Sequence, residues 1–291
     1  MARLAKGKAS RTARMTAAMR ARHAAGGISP RVFDDPLAKL FVDGPSLALA
    51  IPTPLTDWIV GRLAGPVRAL EGEVLARSAY VEEALIKAIA DGVDQIVILG
   101  AGFDTTALRH AGKGITFFEV DHPATQNEKR DILAANPKVV HQIRFVPVDF
   151  ANDDLADALT GAGLDPARPA FCSWLGVVMY LEQGVTMATL ATLRTIMAPD
   201  SCVLFDAYPR PEETDRDEQL LFTAARTFTA SLGEPMLGQF NSDAFTADIG
   251  SAGWAIEDRM TGTQMREHWF AAQPRVLNPP KSALLYTVVA V

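Results

Sequence analysis

Two glycines and a downstream aspartate have the spacing that a nucleotide-type ligand site requires. Gly100 and Gly102 separate an apolar, strand-like run ending at Leu99 from a helix-like segment that starts near Asp104. Glycines at such a turn let a ligand approach the backbone closely. The next predicted strand ends about 20 residues on at Asp121, where a carboxylate can accept hydrogen bonds from two ribose hydroxyls. This pattern predicts a ligand site at the carboxyl ends of the strands.

A second acidic strand end follows farther along the chain. Asp149 ends the third predicted strand, and Phe150 comes directly after it. A hydrogen-bond acceptor beside a flat apolar ring could contact an adenine, although a helix cap next to a core aromatic residue has the same pattern. Glu119 shares one side of its strand with Asp121, because side chains alternate along a strand, and is an alternative ribose ligand.

The glycine turn by itself leaves other interpretations open. A dinucleotide fingerprint has a third glycine three residues after the second, and Thr105 stands at that position. Thr105 disfavours an NAD(P)-dependent oxidoreductase on a Rossmann fold without excluding it. A plain tight turn between a strand and a helix is a further alternative, but it does not explain the acidic strand ends downstream.

The elements that must position these residues alternate between helix and strand from residue 70 onward. Apolar runs predict strands at 94–99, 115–121, 144–149, within 169–181, and at 202–208, 254–260 and 283–291. Periodic segments predict helices at 71–91, 104–110, 184–197 and 245–251. Pro123 suits the first turn of another helix. This alternation predicts an α/β fold with a wound, largely parallel sheet.

We predict a single domain over residues 1–291 with four parts. The core that binds the ligand spans 71–208, and residues 241–291 complete the sheet. Residues 1–70 are rich in proline, which interrupts helices, so they are predicted to form a cover of short helices. Residues 209–240 break the rhythm of strands and helices with prolines and charges, and are predicted to be a lid insertion.

The composition is that of an ordinary globular protein, with 48% hydrophobic and 21% charged residues. No apolar run approaches the roughly 20 residues of a membrane helix, so we predict no transmembrane segment. Cys172 and Cys202 lie in apolar runs that are predicted to be core strands. Their placement argues against a disulfide framework and favours a cytoplasmic location.

Positive charge is concentrated at the start of the chain. Residues 1–23 contain no acidic residue and the following basic ones: Arg3, Lys6, Lys8, Arg11, Arg14, Arg20 and Arg22. Such an arm could contact nucleic acid or an anionic surface. We favour the interpretation of a solvated, partly helical arm, and so predict neither a nucleic-acid nor a membrane partner.

Six motifs together resemble the leucine carboxyl methyltransferase family, in particular its bacterial branch of predicted S-adenosyl-L-methionine-dependent methyltransferases. The motifs are Phe33–Ala38, Arg77–Val81, Leu99–Thr105, Phe118–Pro123, Val148–Phe150 and Met179–Leu181. The resemblance covers residues 30–290 in the same order. It implies a Rossmann-like class I methyltransferase sheet, mostly parallel with an antiparallel C-terminal strand, and S-adenosyl-L-methionine as the cofactor.

The resemblance also implies roles for five residues. Arg77 would bind the methionine carboxylate, for which a guanidinium fork is well suited. Gly100 would present its backbone to the cofactor, and Asp121 would bind the ribose. Asp149 and Phe150 would lie beside the adenine. Without the family, Arg77 would be taken for a surface arginine on an amphipathic helix.

One position departs from the family pattern. Leu175 stands where the family often has an acidic residue, five positions before Tyr180. A charged contact near the methionine or the substrate is therefore missing or supplied elsewhere, and the methyl acceptor stays open. The resemblance favours O-methylation of a carboxylate or hydroxyl of a small molecule or peptide. Apolar residues of the two added segments are predicted to cover the acceptor pocket: Phe33, Leu37, Phe41, Leu221, Phe222 and Phe228.

The sequence assigns neither a catalytic base nor a metal site. A carboxylate acceptor is ionised at pH 7 and needs no base, whereas a hydroxyl acceptor would be helped by one. His122 is the histidine nearest the expected site, but a histidine that opens a helix is more often a cap or a surface residue. Tyr180 is predicted to end the fourth strand and either orients substrate or packs at the core edge. No cluster of His, Cys or carboxylates has metal-ligand spacing, and the oligomeric state is left open.

Overall fold

Apolar runs separated by helices form a seven-stranded sheet in the computed structural model of this protein. The structure describes residues 10–26, 31–53, 64–112, 114–139, 142–150, 152–272 and 277–291. The strands are β1 Gln95–Leu99, β2 Thr116–Asp121, β3 Ile143–Pro147, β4 Ala170–Trp174, β5 Cys202–Ala207, β6 Trp254–Thr261 and β7 Leu284–Ala290. Their order across the sheet is β3-β2-β1-β4-β5-β7-β6.

The first five strands are parallel, and the last strand runs against its neighbours. β1 pairs with β2 and β4, β2 pairs with β3, and β4 pairs with β5, all in parallel. β7 lies between β5 and β6 and is antiparallel to both. The predicted α/β sheet, mostly parallel with an antiparallel C-terminal strand, is therefore confirmed.

Helices connect and cover the strands. They are α1 Arg11–Ala24, α2 Gly44–Ala50, α3 Ala64–Ala90, α4 Thr106–Arg109, α5 Pro123–Ala134, α6 Leu155–Gly161, α7 Gln183–Ile196, α8 Arg216–Ser231, α9 Ser242–Ser251 and α10 Gly262–Met265. As predicted, Pro123 opens its helix, where the missing amide proton costs nothing. α3 begins earlier than the predicted residue 71 and is 27 residues long.

Two predicted strand ends lie elsewhere. β3 ends at Pro147, so Asp149 is not its last residue. The chain still continues beside β2, because the amide of Val148 donates to the carbonyl of Asp121 at 2.9 Å. β4 ends at Trp174, and Tyr180 belongs to a separate 3₁₀ turn, Val178–Tyr180. The prediction that Tyr180 ends the fourth strand is therefore wrong.

The core lies on both faces of the sheet. All five residues of β1 are buried, as expected for a central parallel strand covered on each side by helices. One face packs around Trp174, Phe205 and Tyr286, and the other around Phe117 and Phe171. The sheet is thus a rigid platform whose strand ends can hold side chains in fixed positions.

Both cysteines are free and lie on neighbouring strands, as predicted from their apolar surroundings. Cys172 is on β4 and Cys202 is on β5. Burial raises the pKa of both thiols, which keeps them protonated and unreactive.

None of the helices in the described ranges is long and apolar enough to cross a membrane.

Candidate active site

A cavity of about 1140 Å³ opens at the carboxyl ends of the parallel strands. It is lined by all five residues assigned to the cofactor from the sequence: Arg77, Gly100, Asp121, Asp149 and Phe150. Sites for one drug-sized ligand occupy roughly 300–1000 Å³. This cavity exceeds that range and so has room for a second molecule beside a nucleotide cofactor.

The glycine turn after β1 requires glycine for two reasons. Gly100 and Gly102 have φ angles of +63° and +47°, which L side chains rarely adopt. A Cβ at Gly100 would collide with the side chain of Val177, and a Cβ at Gly102 would lie 3.0 Å from the Cβ of Ala13. The backbone at this turn therefore lines the cavity without side chains covering it at the two glycines.

The side chain of Asp121 is held by two backbone amides. Its Oδ1 accepts a hydrogen bond from the amide of His122 at 2.6 Å, and its Oδ2 accepts one from the amide of Gly102. Burial raises the pKa of Asp121, and these two amides oppose the rise. Each carboxylate oxygen has a further lone pair. Asp121 can thus accept hydrogen bonds from a ligand in the cavity.

Glu119 is not an alternative ribose ligand. Its side chain is 1% exposed and is not among the residues that line the cavity. Lys129 Nζ lies 2.6 Å from its Oε2. Burial raises the pKa of Glu119 to about 7, and Lys129 opposes the rise. The alternation along β2 is correct, but only the residue at the strand end reaches the cavity.

Asp149 and Phe150 lie at the cavity rim, beyond β3. The amide of Asp149 donates to Asp153 Oδ2 at 2.8 Å, and Asn152 Nδ2 donates to Asp149 Oδ2 at 2.7 Å. Phe150 is half-buried against the hydrophobic core. The polar turn and the partly exposed ring thus lie next to each other on the cavity lining.

Arg77 is a buried partner of two acids, so the alternative of a surface arginine is wrong. Its Nη1 lies 2.8 Å from Asp206 Oδ2 and 3.3 Å from Glu73 Oε1. Asp206 Oδ1 in turn accepts from the amide of Gly176 at 2.7 Å. Burial opposes the ionisation of Arg77, but the two carboxylates outweigh it and hold its pKa above the usual value.

Sequence reasoning missed three residues of this cluster: Glu73, Asp206 and Tyr208. Tyr208 donates its hydroxyl proton to Glu73 Oε1, and both residues line the cavity. Two signals were present in the sequence. Glu73 stands one helical turn before Arg77 on α3, and Asp206 is an acid inside the apolar strand β5.

Leu175, the departure from the family pattern, also lines the cavity. Its apolar side chain packs against the hydrophobic core, so this position supplies no charge to the cavity. The nearby charge comes from β5 instead, since Asp206 binds the amide of the next residue, Gly176.

Replacing Glu73 with Gln is expected to change how stability depends on pH. Burial raises the pKa of Glu73 from its ordinary 4.5 to about 7, with Arg77 and Tyr208 lowering it and Asp206 raising it. As the pH rises, the unfolded chain therefore loses the Glu73 proton at a lower pH than the folded protein does. The native protein should lose stability as the pH rises from about 4.5 to about 7, whereas Glu73→Gln lacks this loss.

Urea unfolding between pH 4.5 and 8 measures this effect. The unfolding free energy of Glu73→Gln should rise relative to that of the native protein across the window. Glu83→Gln, an exposed position on the same helix, is the control and should show no such trend. Parallel pH curves for the native protein and Glu73→Gln would contradict the prediction.

The N-terminal arm is a structural cover, so the interpretation of a solvated arm is wrong for α1. Glu234, just after α8, accepts hydrogen bonds from Ser10 Oγ, the amide of Arg11 and Thr12 Oγ1. Farther along, Arg20 pairs with buried Asp35 at 2.9 Å.

The cover also contacts the glycine turn directly. Arg20 Nη2 donates to the carbonyl of Phe103 at 2.8 Å, and Arg14 pairs with Asp43 and Glu128. These ion pairs within the fold leave less positive charge on α1 for a contact with nucleic acid. Arg3, Lys6 and Lys8 lie outside the described residues.

The predicted apolar pocket residues divide into two groups. Phe33, Leu221, Phe222 and Phe228 line the cavity, as predicted. Leu37 and Phe41 do not; they belong to a hydrophobic cluster in which Phe41 stacks on Phe103 at 5.3 Å between ring centroids. These two residues attach the N-terminal segment to the fold.

His122 and Tyr180 are the remaining candidates from the sequence. Nδ1 of His122 accepts from the amide of Ala124 at 3.1 Å and caps α5, although His122 also lines the cavity. Tyr180 lines the cavity as well, and burial raises its pKa to about 12. In the part of the chain that the structure describes, no group of three or more His, Cys, Asp or Glu residues could hold a metal ion.

Sheet order, glycine turn and acidic strand end together define a Rossmann-like class I methyltransferase fold, and solved structures share it. A predicted methyltransferase from Thermobifida fusca YX aligns with a TM-score of 0.55 and 17% identity, over 99% of this chain and 97% of that one. Magnesium protoporphyrin IX methyltransferase (ChlM) from Synechocystis PCC 6803, solved with SAH bound, aligns with a TM-score of 0.51 and 12% identity, over 87% and 91%.

Sequence relatives identify the family. The family model of leucine carboxyl methyltransferase matches residues 13–194. A predicted S-adenosyl-L-methionine-dependent methyltransferase of Mycolicibacterium paratuberculosis (strain ATCC BAA-968 / K-10) is 30% identical over 88% of this chain and 80% of its own length. YktD of Bacillus subtilis (strain 168), with the same predicted activity, is 31% identical over 68% of this chain and 66% of its own length.

The chain belongs to the leucine carboxyl methyltransferase family. The predicted family, enzyme class and S-adenosyl-L-methionine cofactor are confirmed at this level. The alternative of an NAD(P)-dependent oxidoreductase finds no support among these relatives.

Proposed function

We propose that this enzyme binds S-adenosyl-L-methionine in the cavity and methylates an oxygen atom, a carboxylate or a hydroxyl, of a small molecule or peptide. One observation carries the proposal. Five residues from α3, the turn after β1, the end of β2 and the segment after β3 line a single cavity with room for two molecules.

The residues present suit this cofactor. The bare turn at Gly100 admits a ligand against the backbone, and Asp121 offers lone pairs to a ribose. Arg77 offers a buried guanidinium to a carboxylate, and Asp149 with Phe150 offers a rim for a purine. When bound, S-adenosyl-L-methionine would supply an electrophilic methyl group on a sulfonium. The protein's task is to hold the acceptor oxygen in line with the methyl carbon and sulfur, and to exclude water.

Calorimetry with S-adenosyl-L-methionine and S-adenosylhomocysteine tests the proposed function. We expect binding of both, unchanged by a chelator, since neither the sequence nor the described residues indicate a metal site. NADH is the control ligand and should not bind. The proposal fails if neither sulfur compound binds at millimolar concentration.

The half-exposed ring of Phe228 tests whether α8 helps to form the acceptor pocket. Phe228→Ala removes one aromatic ring from the cavity lining. It should leave no void in the hydrophobic core, because the residue is 47% exposed. We expect about a tenfold loss of methyl transfer from radiolabelled S-adenosyl-L-methionine to a bacterial metabolite extract, the scale of a lost aromatic contact. Affinity for S-adenosylhomocysteine should stay near normal.

Leu220→Ala is the matched control, since Leu220 lies on the same helix, is 64% exposed and does not line the cavity. A lower melting temperature with unchanged turnover per folded molecule would mean that Phe228 only packs the helix against the fold.

The location of the enzyme is also a proposal. Cys172 and Cys202 lie on adjacent strands as free thiols, which suits a reducing cytoplasm.

A further inference from the structure

The cavity is rich in negative charge. Seven carboxylates line it: Asp35, Glu73, Glu82, Asp104, Asp121, Asp149 and Glu234. Among the described residues, three guanidinium groups stand against them, those of Arg20, Arg77 and Arg109. A cavity with this balance attracts a sulfonium cation and repels an anionic acceptor.

Each of the three arginines already has an acidic partner. Arg20 pairs with Asp35 at 2.9 Å, Arg77 with Asp206 at 2.8 Å, and Arg109 with Glu82 at 2.8 Å. Among these, Arg77 is also the residue assigned to the cofactor carboxylate. In the described part of the chain, an acceptor carboxylate in the cavity would therefore find no cation without an acidic partner to offset the loss of its hydration.

Tyr208 and Glu73 form a buried hydrogen-bonded pair on the cavity wall. Tyr208 donates to Glu73 Oε1, which is also 3.3 Å from Arg77 Nη1. Because its proton is used in this bond, the Tyr208 oxygen has lone pairs left to accept a hydrogen bond from a ligand hydroxyl. Asp206 lies near enough to the pair to raise the pKa of Glu73.

An aromatic side chain packs against the tyrosine of this pair. The ring of Phe222 meets Tyr208 edge to face, with 5.1 Å between ring centroids. Three further apolar residues of α8 and the segment after it also line the cavity: Leu221, Phe228 and Met236. The surroundings suit an aromatic or otherwise apolar molecule that presents one hydroxyl.

We propose that the methyl acceptor is an uncharged, largely apolar hydroxyl compound of the phenol class, whose hydroxyl is bound by Tyr208, with Glu73 as the final proton acceptor. This inference rests on the proposed function and selects one of its two acceptor chemistries. Tyr208 is then a catalytic residue, and Glu73 is a positioning residue that acts through it.

In the proposed step, the acceptor oxygen gains a methyl group and loses its proton. A lone pair of the acceptor oxygen forms the bond to the methyl carbon while the methyl–sulfur bond breaks, and its electron pair stays on sulfur. The acceptor's proton moves to the Tyr208 oxygen as the Tyr208 proton moves to Glu73. The products are a methyl ether, a neutral thioether and a protonated Glu73.

Binding to the preformed cofactor-product complex provides the first test. Calorimetry measures 2-naphthol, 2-naphthoate and the cation 2-naphthylmethylammonium against the protein saturated with S-adenosylhomocysteine. We expect 2-naphthol to bind at least tenfold more tightly than either charged analogue. Equal or tighter binding of a charged analogue, or no binding of 2-naphthol at millimolar concentration, overturns the inference.

Tyr208→Phe should weaken 2-naphthol binding about tenfold, the scale of a hydrogen bond to a polarised partner, with S-adenosylhomocysteine affinity unchanged within about twofold. Tyr80→Phe is the matched control, because Tyr80 is a hydrogen-bonded tyrosine of α3 outside the cavity. Equal losses in the two variants, or no loss in Tyr208→Phe, argue against the assignment. Failure of S-adenosylhomocysteine itself to bind would instead refute the proposed function.

The pH profile of methyl transfer to 2-naphthol tests Glu73. Burial raises the pKa of Glu73 to about 7 even though Arg77 opposes the rise. The rate of methyl transfer should therefore increase as the pH rises through about 7 and Glu73 ionises. Glu73→Gln should remove this rise, and Glu73→Asp should restore part of it. An unchanged profile in Glu73→Gln, or no transfer to 2-naphthol by the native enzyme, counts against the proton route.

Discussion

Replacing Arg77 with Met is expected to lower the free energy of unfolding by about 3–5 kcal/mol and to abolish binding of S-adenosylhomocysteine. The stability effect follows because the change leaves Asp206, and Glu73 beside it, as buried carboxyls without their cation. The binding effect follows because Arg77 is the residue proposed to hold the methionine carboxylate. Urea unfolding and calorimetry measure the two effects separately.

The double variant Arg77→Met/Asp206→Asn separates structure from binding. Asn at 206 can still accept the hydrogen bond from the amide of Gly176 but carries no charge, so most of the lost stability should return. Binding should not return. Arg168→Met is the control for a surface pair, since Arg168 and Asp94 are both well exposed, and should change stability by at most about 1 kcal/mol.

A second ligand shows which part of the cofactor Arg77 holds. 5′-Methylthioadenosine has the adenine, ribose and thioether but no amino-acid group. The double variant should bind it as the native protein does. If the variant instead keeps full affinity for S-adenosylhomocysteine, or loses both ligands equally while folded, Arg77 does not bind the methionine carboxylate.

Asp121→Ala is expected to weaken binding of both ligands tenfold or more. Hydrogen bonds to charged groups contribute about 1.5–3 kcal/mol each, and this carboxylate is proposed to accept two from the ribose. Both ligands contain the ribose, so their losses should be equal, in contrast to the Arg77 result. Calorimetry with S-adenosylhomocysteine and 5′-methylthioadenosine measures them side by side.

Asp121→Ala could also weaken ligand binding indirectly, by disturbing the glycine turn. The carboxylate of Asp121 also accepts from the amides of Gly102 and His122, so its removal could disturb the turn itself. Asp121→Asn keeps one of the two oxygen acceptors, so it should disturb the turn less than Asp121→Ala while still losing ribose affinity. Asp91→Ala, an exposed carboxylate paired with Lys87, is the control for loss of charge. Unchanged dissociation constants in Asp121→Ala would mean that the ribose is bound elsewhere.

The sequence by itself determined the sheet and identified five residues that line the cavity at its edge. Continuous apolar runs predicted the parallel strands, and Gly100 with Asp121 predicted the ligand edge of the sheet. These signals are readable because they are local. Strand periodicity, the conformational freedom of glycine and the position of a residue at a strand end depend on neighbours within a few residues.

Local signals were less reliable where the chain leaves a strand. Tyr180 was expected at the end of β4, but the apolar run continues through a 3₁₀ turn that has the same composition as a strand. Glu119 and Asp121 share one side of β2 in the alternation, but Glu119 is buried against Lys129 while Asp121, at the strand end, lines the cavity.

Only the tertiary structure decided which distant side chains are paired in and around the cavity. Arg77 and Asp206 are 129 positions apart in the chain, Glu73 and Tyr208 are 135 apart, and Thr12 and Glu234 are 222 apart. The arginines of α1 looked like a solvated arm because residues 1–23 contain no acid, while their partners come from other parts of the chain. The charge and the exposure of a side chain depend on what packs against it, and packing between distant segments leaves no periodic trace in either segment.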